Sequence, residues 1–426
     1  MAVTDAGRAA PPTRATVLGG PMAWWVWILA VTFVVYLFSF QTGYAIVNPS
    51  VQKDVGLNIG QVGTIAAVYT WAFAICQFFG GALLDRLGSR KVLPISIALV
   101  TLGIFLFANA QSYGMLLLSQ VVIAMGSCTG FVGAGYVGGQ WFGMAKFSFM
   151  FGLVQVVAAL TSAFSVNLIG MALSETTWRS LFNYTAVFGI ALFILGLIYI
   201  RNPTPVASHA DSGNFFSSVL KNMAQVARIG HVWIASLGGA FSFGTMLALG
   251  VVWMPKLLLV HGLSETSANF GASMLWLGLA AGSAVIPHWS DKIRRRKRPI
   301  IVGAAVQLAA LLVLLFVANI SAPMAMVLCF IFGFANAAHM LAFSTAADVV
   351  QPSQIGTSAA IVNGIMFILG GVLMSRPGVR IGMGIEHGIQ PASLQLAQYA
   401  SLPAIVACVL ALVLALIMRE TYPAHH

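Results

Sequence analysis

The side chains in this sequence able to do chemistry are few, and most are amides, phenols and imidazoles. Gln41, Tyr44, Tyr69, Gln120, Gln155, Asn336, His339 and Asn363 each stand inside a long apolar stretch, as do Trp71 and Gln77. A polar group at membrane depth costs free energy unless it faces a cavity or bonds a neighbouring helix. These residues are therefore the expected lining of a substrate site. His339 is the only strongly titratable group well inside a stretch, so its ring would bind a proton or hydrogen-bond an anionic ligand. A neutral histidine bonded to a neighbouring helix is the plain alternative. Gln120 and Gln155 would serve equally as glue between helices, and Tyr44, Tyr69 and Trp71 as packing. Asp348 and Arg376 fall at stretch ends and are expected to reach water.

Other chemistries find no support. No nucleophile–base pair and no metal cluster stands out, so no enzyme, cofactor or bound metal is expected. Cys76, Cys128, Cys329 and Cys408 lie in four different apolar stretches and read as small buried hydrophobes. Eighteen methionines raise the idea of copper import, but none are spaced Met-x-x-x-Met, and the adjacent His339 and Met340 point to different helix faces. The run Gly130-x-x-Gly133-x-Gly135-x-x-Gly138-Gly139 lies within an apolar stretch. It suits close helix packing and bending rather than a phosphate loop.

The elements that must position these residues follow from composition. The chain has 426 residues, 59% hydrophobic and 7% charged. A soluble protein usually carries about 25% charge, so this surface must face lipid. Twelve apolar segments of spanning length are expected at 23–47, 61–84, 92–110, 113–139, 147–172, 178–200, 230–255, 267–289, 299–318, 321–346, 355–376 and 396–418. Asn48-Pro49, Asp85-Arg86, Asn202-Pro203 and Gln351-Pro352 mark breaks between them. The fold class is an all-α membrane protein of two six-helix halves. Its expected parts are a tail at 1–22, a first bundle at 23–200, a linker at 201–229, a second bundle at 230–418 and a tail at 419–426. Within the linker, residues 215–226 have the pattern of an amphipathic surface helix. The first 20 residues have no apolar core, so no cleavable leader is expected.

The net charge of +11 is chiefly a topology signal. With both termini in the cytoplasm, sixteen of the 21 Lys and Arg fall inside and five outside. The positive-inside rule selects that orientation in a cytoplasmic membrane. The charge then meets anionic lipid, and nucleic acid is not an expected partner.

One loop carries a recognisable pattern. Between the second and third segments stands Gly80-Gly81-Ala82-Leu83-Leu84-Asp85-Arg86-Leu87-Gly88-Ser89-Arg90-Lys91. Gly81 permits close helix approach, Asp85 can cap a neighbouring helix end, and Arg86, Arg90 and Lys91 hold the loop at an anionic leaflet. Between the eighth and ninth segments, Asp291, Lys292, Arg296 and Lys297 repeat Asp85, Arg86, Arg90 and Lys91 at a constant offset of 206 positions, with Pro287 where Gly81 stands. A repeat near half the chain length is what two related halves predict.

This loop resembles the G-x-x-x-D-R-x-G-R-[RK] motif of the major facilitator superfamily. Trp178-Arg179 at the start of segment six, and Asn363 with Gly370-Gly371 in segment eleven, resemble that family too. The resemblance implies alternating access, with the loop cluster latching the halves in the outward-open state and segments one, four, seven and ten lining a central cavity. Two departures stand out. Gln120 occupies the place where many proton-coupled members carry Arg, and segment five lacks the Gly-Pro motif of drug antiporters. The resemblance therefore implies a monomeric secondary transporter for a small organic metabolite such as a monocarboxylate, an amino-acid-like compound or a small peptide, with a proton as a further ligand. Residues 126–152 resemble bacterial metabolite permeases, including relatives of the lysosomal dipeptide carrier. Efflux of amphipathic drugs or siderophore-like compounds is the alternative, ahead of copper import or a non-transporting receptor.

Overall fold

The computed structural model describes residues 19–57, 59–143, 146–203 and 215–423. Sequence expectations for Arg8 and Arg14, and for linker residues 204–214, lie outside the described residues. Among the described residues there are twelve helical spans long and apolar enough to cross a membrane, and the chain is a multi-pass all-α membrane protein.

The first six spans are α1 (Pro21–Val55), α2 (Ile59–Leu87), α3 (Ser89–Ala108), α4 (Tyr113–Ser127) continued by α5 (Gly130–Phe142), α6 (Phe147–Glu175) and α7 (Trp178–Tyr199). α8 (Phe215–Ala227) follows, an amphipathic helix outside the spans. The next six begin with α9 (Gly230–Ala248), which passes through a π-helical turn (Leu249–Trp253) into α10 (Met254–Val260). Then come α11 (Glu265–Ile293), α12 (Lys297–Phe316), and α13 (Ala322–Asn336) joined by a 3₁₀ turn (Ala337–Met340) to α14 (Leu341–Ala347). A short 3₁₀ turn (Pro352–Gln354) leads into α15 (Ile355–Glu386), and α16 (Leu394–Ile417) ends the set.

Two expected boundaries are corrected. α1 continues through Asn48-Pro49 to Val55, and α15 continues through Pro377 to Glu386. A proline removes one backbone hydrogen bond, and the bonds on either side carry the helix past it. Apolar length therefore understates helix length wherever a span projects beyond the lipid. Conversely, segment four is two helices, bent at Cys128 and Thr129.

The glycine run of α5 shows why that segment is so bare. A Cβ at Gly130 would meet the Leu37 side chain, and one at Gly135 the Phe151 ring. α1 and α6 thus close directly onto the α5 backbone.

Helix starts differ between the two ends of the bundle. At the end away from the chain termini, local side chains accept the first free N–H groups. Ser112, Thr177, Ser264 and Ser393 bond Met115, Ser180, Ser267 and Leu396 at 3.1–3.3 Å. At the end that holds the loop motif, three helix starts borrow their caps from elsewhere in the chain. Asn202 accepts from Arg90 N (3.1 Å), Glu420 from Arg296 N (2.7 Å), and Asp85 from Gly356 N and Thr357 N (2.9 and 2.8 Å). The motif end is therefore stitched together across long sequence separations.

Candidate functional site: an axial cavity and its latch

A small cavity lies where the two halves meet. The first half contributes Leu37, Phe38 and Gln41 of α1, Tyr69 and Phe73 of α2, Ser127 of α4, Phe131 of α5 and Gln155 of α6. The second contributes Phe243 of α9, His339 of the 3₁₀ turn, Phe343 of α14, and Asn363, Met366 and Phe367 of α15. Its free volume is about 30 Å³, room for a water molecule and too little for a metabolite. The halves are therefore nearly closed on one another here. Aromatic pairs make the closure: Phe151 stacks on Phe343 at 4.8 Å, and Phe73 meets Phe367 edge-on at 4.8 Å.

Five of the eight residues expected at the site line this cavity: Gln41, Tyr69, Gln155, His339 and Asn363. The other three are placed elsewhere. Tyr44 is buried within the first half against Phe107, 5.7 Å between rings. Gln120 is buried on α4, away from the cavity, with no partner for its Nε2. Asn336 is fully buried and donates to Ser242 O (2.8 Å) and Ser242 Oγ (3.0 Å), where Gln307 also bonds. It fastens α13 to α9, and Gln307 fastens α12 to the same serine, as expected of polar groups between membrane helices. Of the two further candidates, Trp71 is 73% exposed and outside the lining, and Gln77 is buried outside the lining, both its polar atoms unpartnered.

Sequence reading missed the apolar walls, yet a helical period would have found them. Leu37 and Phe38 lie four and three residues before Gln41. Phe73 follows Tyr69 by four, Phe343 follows His339 by four, and Met366 and Phe367 follow Asn363 by three and four. Each polar candidate brings along the neighbours on its own helix face.

His339 has the most defined geometry. The 3₁₀ turn lets its Nδ1 reach Asn336 O at 2.8 Å. A carbonyl only accepts, so Nδ1 carries the hydrogen and Nε2 presents its lone pair. Phe243 stacks on the ring at 4.6 Å. A second crevice of about 20 Å³, bordered by Gly239, Ser242 and Ala342, reaches the ring from within the second half. No fixed charge lines the axial cavity among the described residues. Nor do three His, Cys, Asp or Glu side chains gather anywhere in positions to hold a metal ion among them.

The loop motif sits at one end of the interface. Asp85 takes two backbone N–H bonds at the start of α15 and the Thr357 hydroxyl at 2.9 Å. A carboxylate at a helix N-terminus meets both unsatisfied donors and the positive end of the dipole. Gly81 makes this possible, because any Cβ there would collide with the Gly356 carbonyl. Nearby, the Ser148 and Ser344 hydroxyls are 2.6 Å apart and Gln354 donates to Gln225 of α8 at 2.9 Å. The motif end is thus closed across the halves.

The second copy of the motif is built differently. Arg296 is buried, bonding Asp291 at 2.6 Å and Asp348 at 3.2 Å, with Tyr422 stacked on its guanidinium at 4.7 Å. Thr421 also bonds Asp348 at 3.2 Å. The expectation that Asp348 reaches water is therefore corrected, since its side chain is 9% exposed. Burial holds its carboxyl above the ordinary carboxylate range, and the Arg296 charge opposes that rise without cancelling it.

Two related six-helix halves around an axial cavity define a class of membrane protein. The comparison with known families is specific: residues 28–375 match the model described as Major Facilitator Superfamily, and the chain belongs to that family. It is 23% identical over 265 residues to the hexuronate transporter of Bacillus subtilis (strain 168), covering 60% of this chain and 62% of that protein. It is 28% identical over 183 residues to the quinolone resistance protein NorA of Staphylococcus aureus (strain Mu50 / ATCC 700699), covering 41% and 45%. The chain thus spans less than two thirds of the length of these relatives. Among solved structures, the human organic anion transporter MFSD10 (TETRAN) superposes with a TM-score of 0.68 at 13% identity, over 94% of this chain and 100% of that one. At that identity the likeness is one of fold.

Proposed function

We propose that this protein is a secondary transporter that moves a small organic metabolite, neutral or singly charged, across the cytoplasmic membrane by alternating access. The observation that carries the reading is the axial cavity, where Gln41, Tyr69, Gln155, His339 and Asn363 from both halves converge between aromatic walls with no fixed charge. Amides, a phenol and an imidazole offer hydrogen bonds in every direction to hydroxyls, amides or one carboxylate. A polyanion would find no cationic partner. The termini and the motif loops lie on the cytoplasmic side, and the monomer is the transporting unit.

On this reading the structure is closed at the cytoplasmic end and must widen to admit its cargo. Opening inward breaks the Asp85 bonds and separates Ser148 from Ser344. His339, whose Nε2 lone pair is available, supplies the proton site when transport is coupled. Gln120, Tyr44 and Asn336 act through the packing of their helices.

A thermal-shift screen of the purified protein against a metabolite library tests the reading, since a ligand that binds the folded state raises its stability. A hit should lose its shift in Asn363→Ala and Gln155→Ala. A hit whose shift survives both substitutions overturns the site. His339→Gln should flatten the pH dependence of uptake in proteoliposomes, and an unchanged profile removes the proton role.

Drug efflux is the second reading. Its support is the aromatic wall of Phe38, Phe73, Phe131, Phe243, Phe343 and Phe367, together with the similarity to NorA. Hits confined to amphipathic cations in the same screen would favour it.

A further inference from the structure

A much larger void in the protein lies off the axis. It measures about 340 Å³ and is enclosed by the seventh, eleventh and twelfth spans at the end away from the motif loops. Its origin is readable in sequence. Ala397, Ala400 and Ala404 give α16 a furrow of small residues at helical spacing, and Pro377 faces it from α15. The π-helical turn of the seventh span supplies Leu249 and Trp253 as the inner wall. Polar groups are confined to Lys256, Ser393 and Ser401.

The level of this void is marked by two cation–aromatic pairs. Lys256 lies 4.6 Å over the Trp253 ring and Arg380 lies 4.0 Å over Tyr399. Trp, Tyr and basic residues gather where lipid headgroups meet the hydrocarbon. Lys256 is exposed and forms no salt bridge among the described residues. The walls of the void are apolar apart from Lys256, Ser393 and Ser401, so most of the void offers water no hydrogen-bond partner. It lies within the range of ligand sites, and the solvent beside it is lipid.

We propose that this void is a binding site for one anionic phospholipid of that leaflet, the outer one in the orientation given above. An acyl chain fills the furrow between α15 and α16, and the headgroup phosphate bonds the Lys256 ammonium. Occupancy braces the π-helical turn, which forms one wall. The site stands on the membrane embedding of the chain and the geometry of these three spans, so it does not depend on which cargo the axial cavity takes.

The test is native mass spectrometry of the purified full-length protein with added dioleoylphosphatidylglycerol or dioleoylphosphatidylcholine. The wild type should retain one phosphatidylglycerol with about five-fold preference, the value of a single lysine near a headgroup. Lys256→Gln should bring the two lipids level, and Ala400→Trp should abolish retention of both. Equal retention of both lipids by the wild type overturns the headgroup assignment, and undiminished retention by a folded Ala400→Trp overturns the furrow. Should Ala400→Trp fail to fold, fluorescence keeps the question open to decision. Phosphatidylglycerol with brominated acyl chains should quench wild-type tryptophan emission saturably, and Trp253→Phe should lose that saturable part. Quenching that is linear in lipid, or unchanged in Trp253→Phe, overturns the site.

Discussion

The two copies of the loop motif occupy matching positions in related halves and do opposite things. Asp85 reaches out of its half to cap α15, whereas Asp291 stays within its own half and pairs with Arg296. The matching arginine of the first copy, Arg90, is exposed. The glycines account for part of the difference. Gly81 meets Gly356 backbone to backbone, while Pro287, its counterpart 206 positions on, lies with its ring 3.0 Å from where a Cβ on Gly152 would stand. Close backbone contact lets a short carboxylate reach a helix start in the other half. At the second copy the close approach is made by Gly152 to the Ser283 carbonyl, one turn before Pro287, and the Asp291 carboxylate turns to Arg296, the cation beside it. One copy is thus a contact between the two halves, and the other is a staple inside one of them.

This contrast predicts unequal mutants, and the largest effect should come from the staple. Replacing Arg296 with Met leaves Asp291 and Asp348 buried without their cation, which should cost about 3–5 kcal/mol of stability. Arg90→Met, at the matching exposed position, should stay within about 0.5 kcal/mol. Thermal melting followed by size-exclusion profiles checks the pair, and equal losses would break the comparison. Asp348→Asn should be milder than Arg296→Met, because burial already favours its neutral form. The sign for pH follows: a carboxyl with a raised folded pKa adds stability at low pH and loses it as pH rises.

The latch comes next. Asp85→Asn surrenders charge-assisted bonds to Gly356 and Thr357, weakening closure by about 1.5–3 kcal/mol while leaving insertion intact. A Ser148→Cys, Ser344→Cys pair reports closure directly, because those hydroxyls are 2.6 Å apart. Cross-linking should fall in Asp85→Asn and persist in Asp291→Asn, which should lower melting temperature instead. The reverse pattern would exchange the roles assigned to the two copies. Gly81→Ala should act in the same direction as Asp85→Asn, by about 1–3 kcal/mol of overpacking at the Gly356 carbonyl.

Much of this was legible in the sequence, for reasons that differ by level. Twelve spans could be read because lipid forces every backbone group into helices and every exposed side chain toward apolarity. The offset of 206 exposed the repeat because charges at loop positions survive when the apolar background blurs. Which polar residues face the cavity was less legible. Gln41 and Gln120 look alike as isolated amides in apolar helices, and only packing separates a lining residue from a buried one. Asn336 was misplaced because interhelical glue and ligand contact demand the same residue type at the same depth. Asp85 was readable as a cap for a neighbouring helix end without the sequence saying which one, whereas the Asn202 and Glu420 caps were invisible because each joins residues more than a hundred positions apart.

Those caps give the comparison its finest test. Asn202 and Glu420 each stand two residues beyond the C-cap of the last span of their half, and each caps the helix start that opens that half's third span. The first is neutral beside the exposed Arg90, and the second is charged beside the buried Arg296. Replacing either with Ala removes a cap worth about 1 kcal/mol. Glu420 also brings a negative charge to a helix start whose sequence, Arg294 to Arg298, is all cationic, so Glu420→Ala should cost more than Asn202→Ala. Glu420→Gln removes the charge and keeps one acceptor oxygen for Arg296 N, while its amide nitrogen cannot accept from Lys297 N, and it should fall between wild type and Glu420→Ala. The difference between Glu420→Gln and wild type should shrink with added salt, because charges at the surface are screened within about 8 Å at physiological ionic strength. A salt-independent difference would mean that the Glu420 charge contributes nothing, and that the tail supports the staple through hydrogen bonds to Arg296 N and Lys297 N and through the contacts of Thr421 and Tyr422.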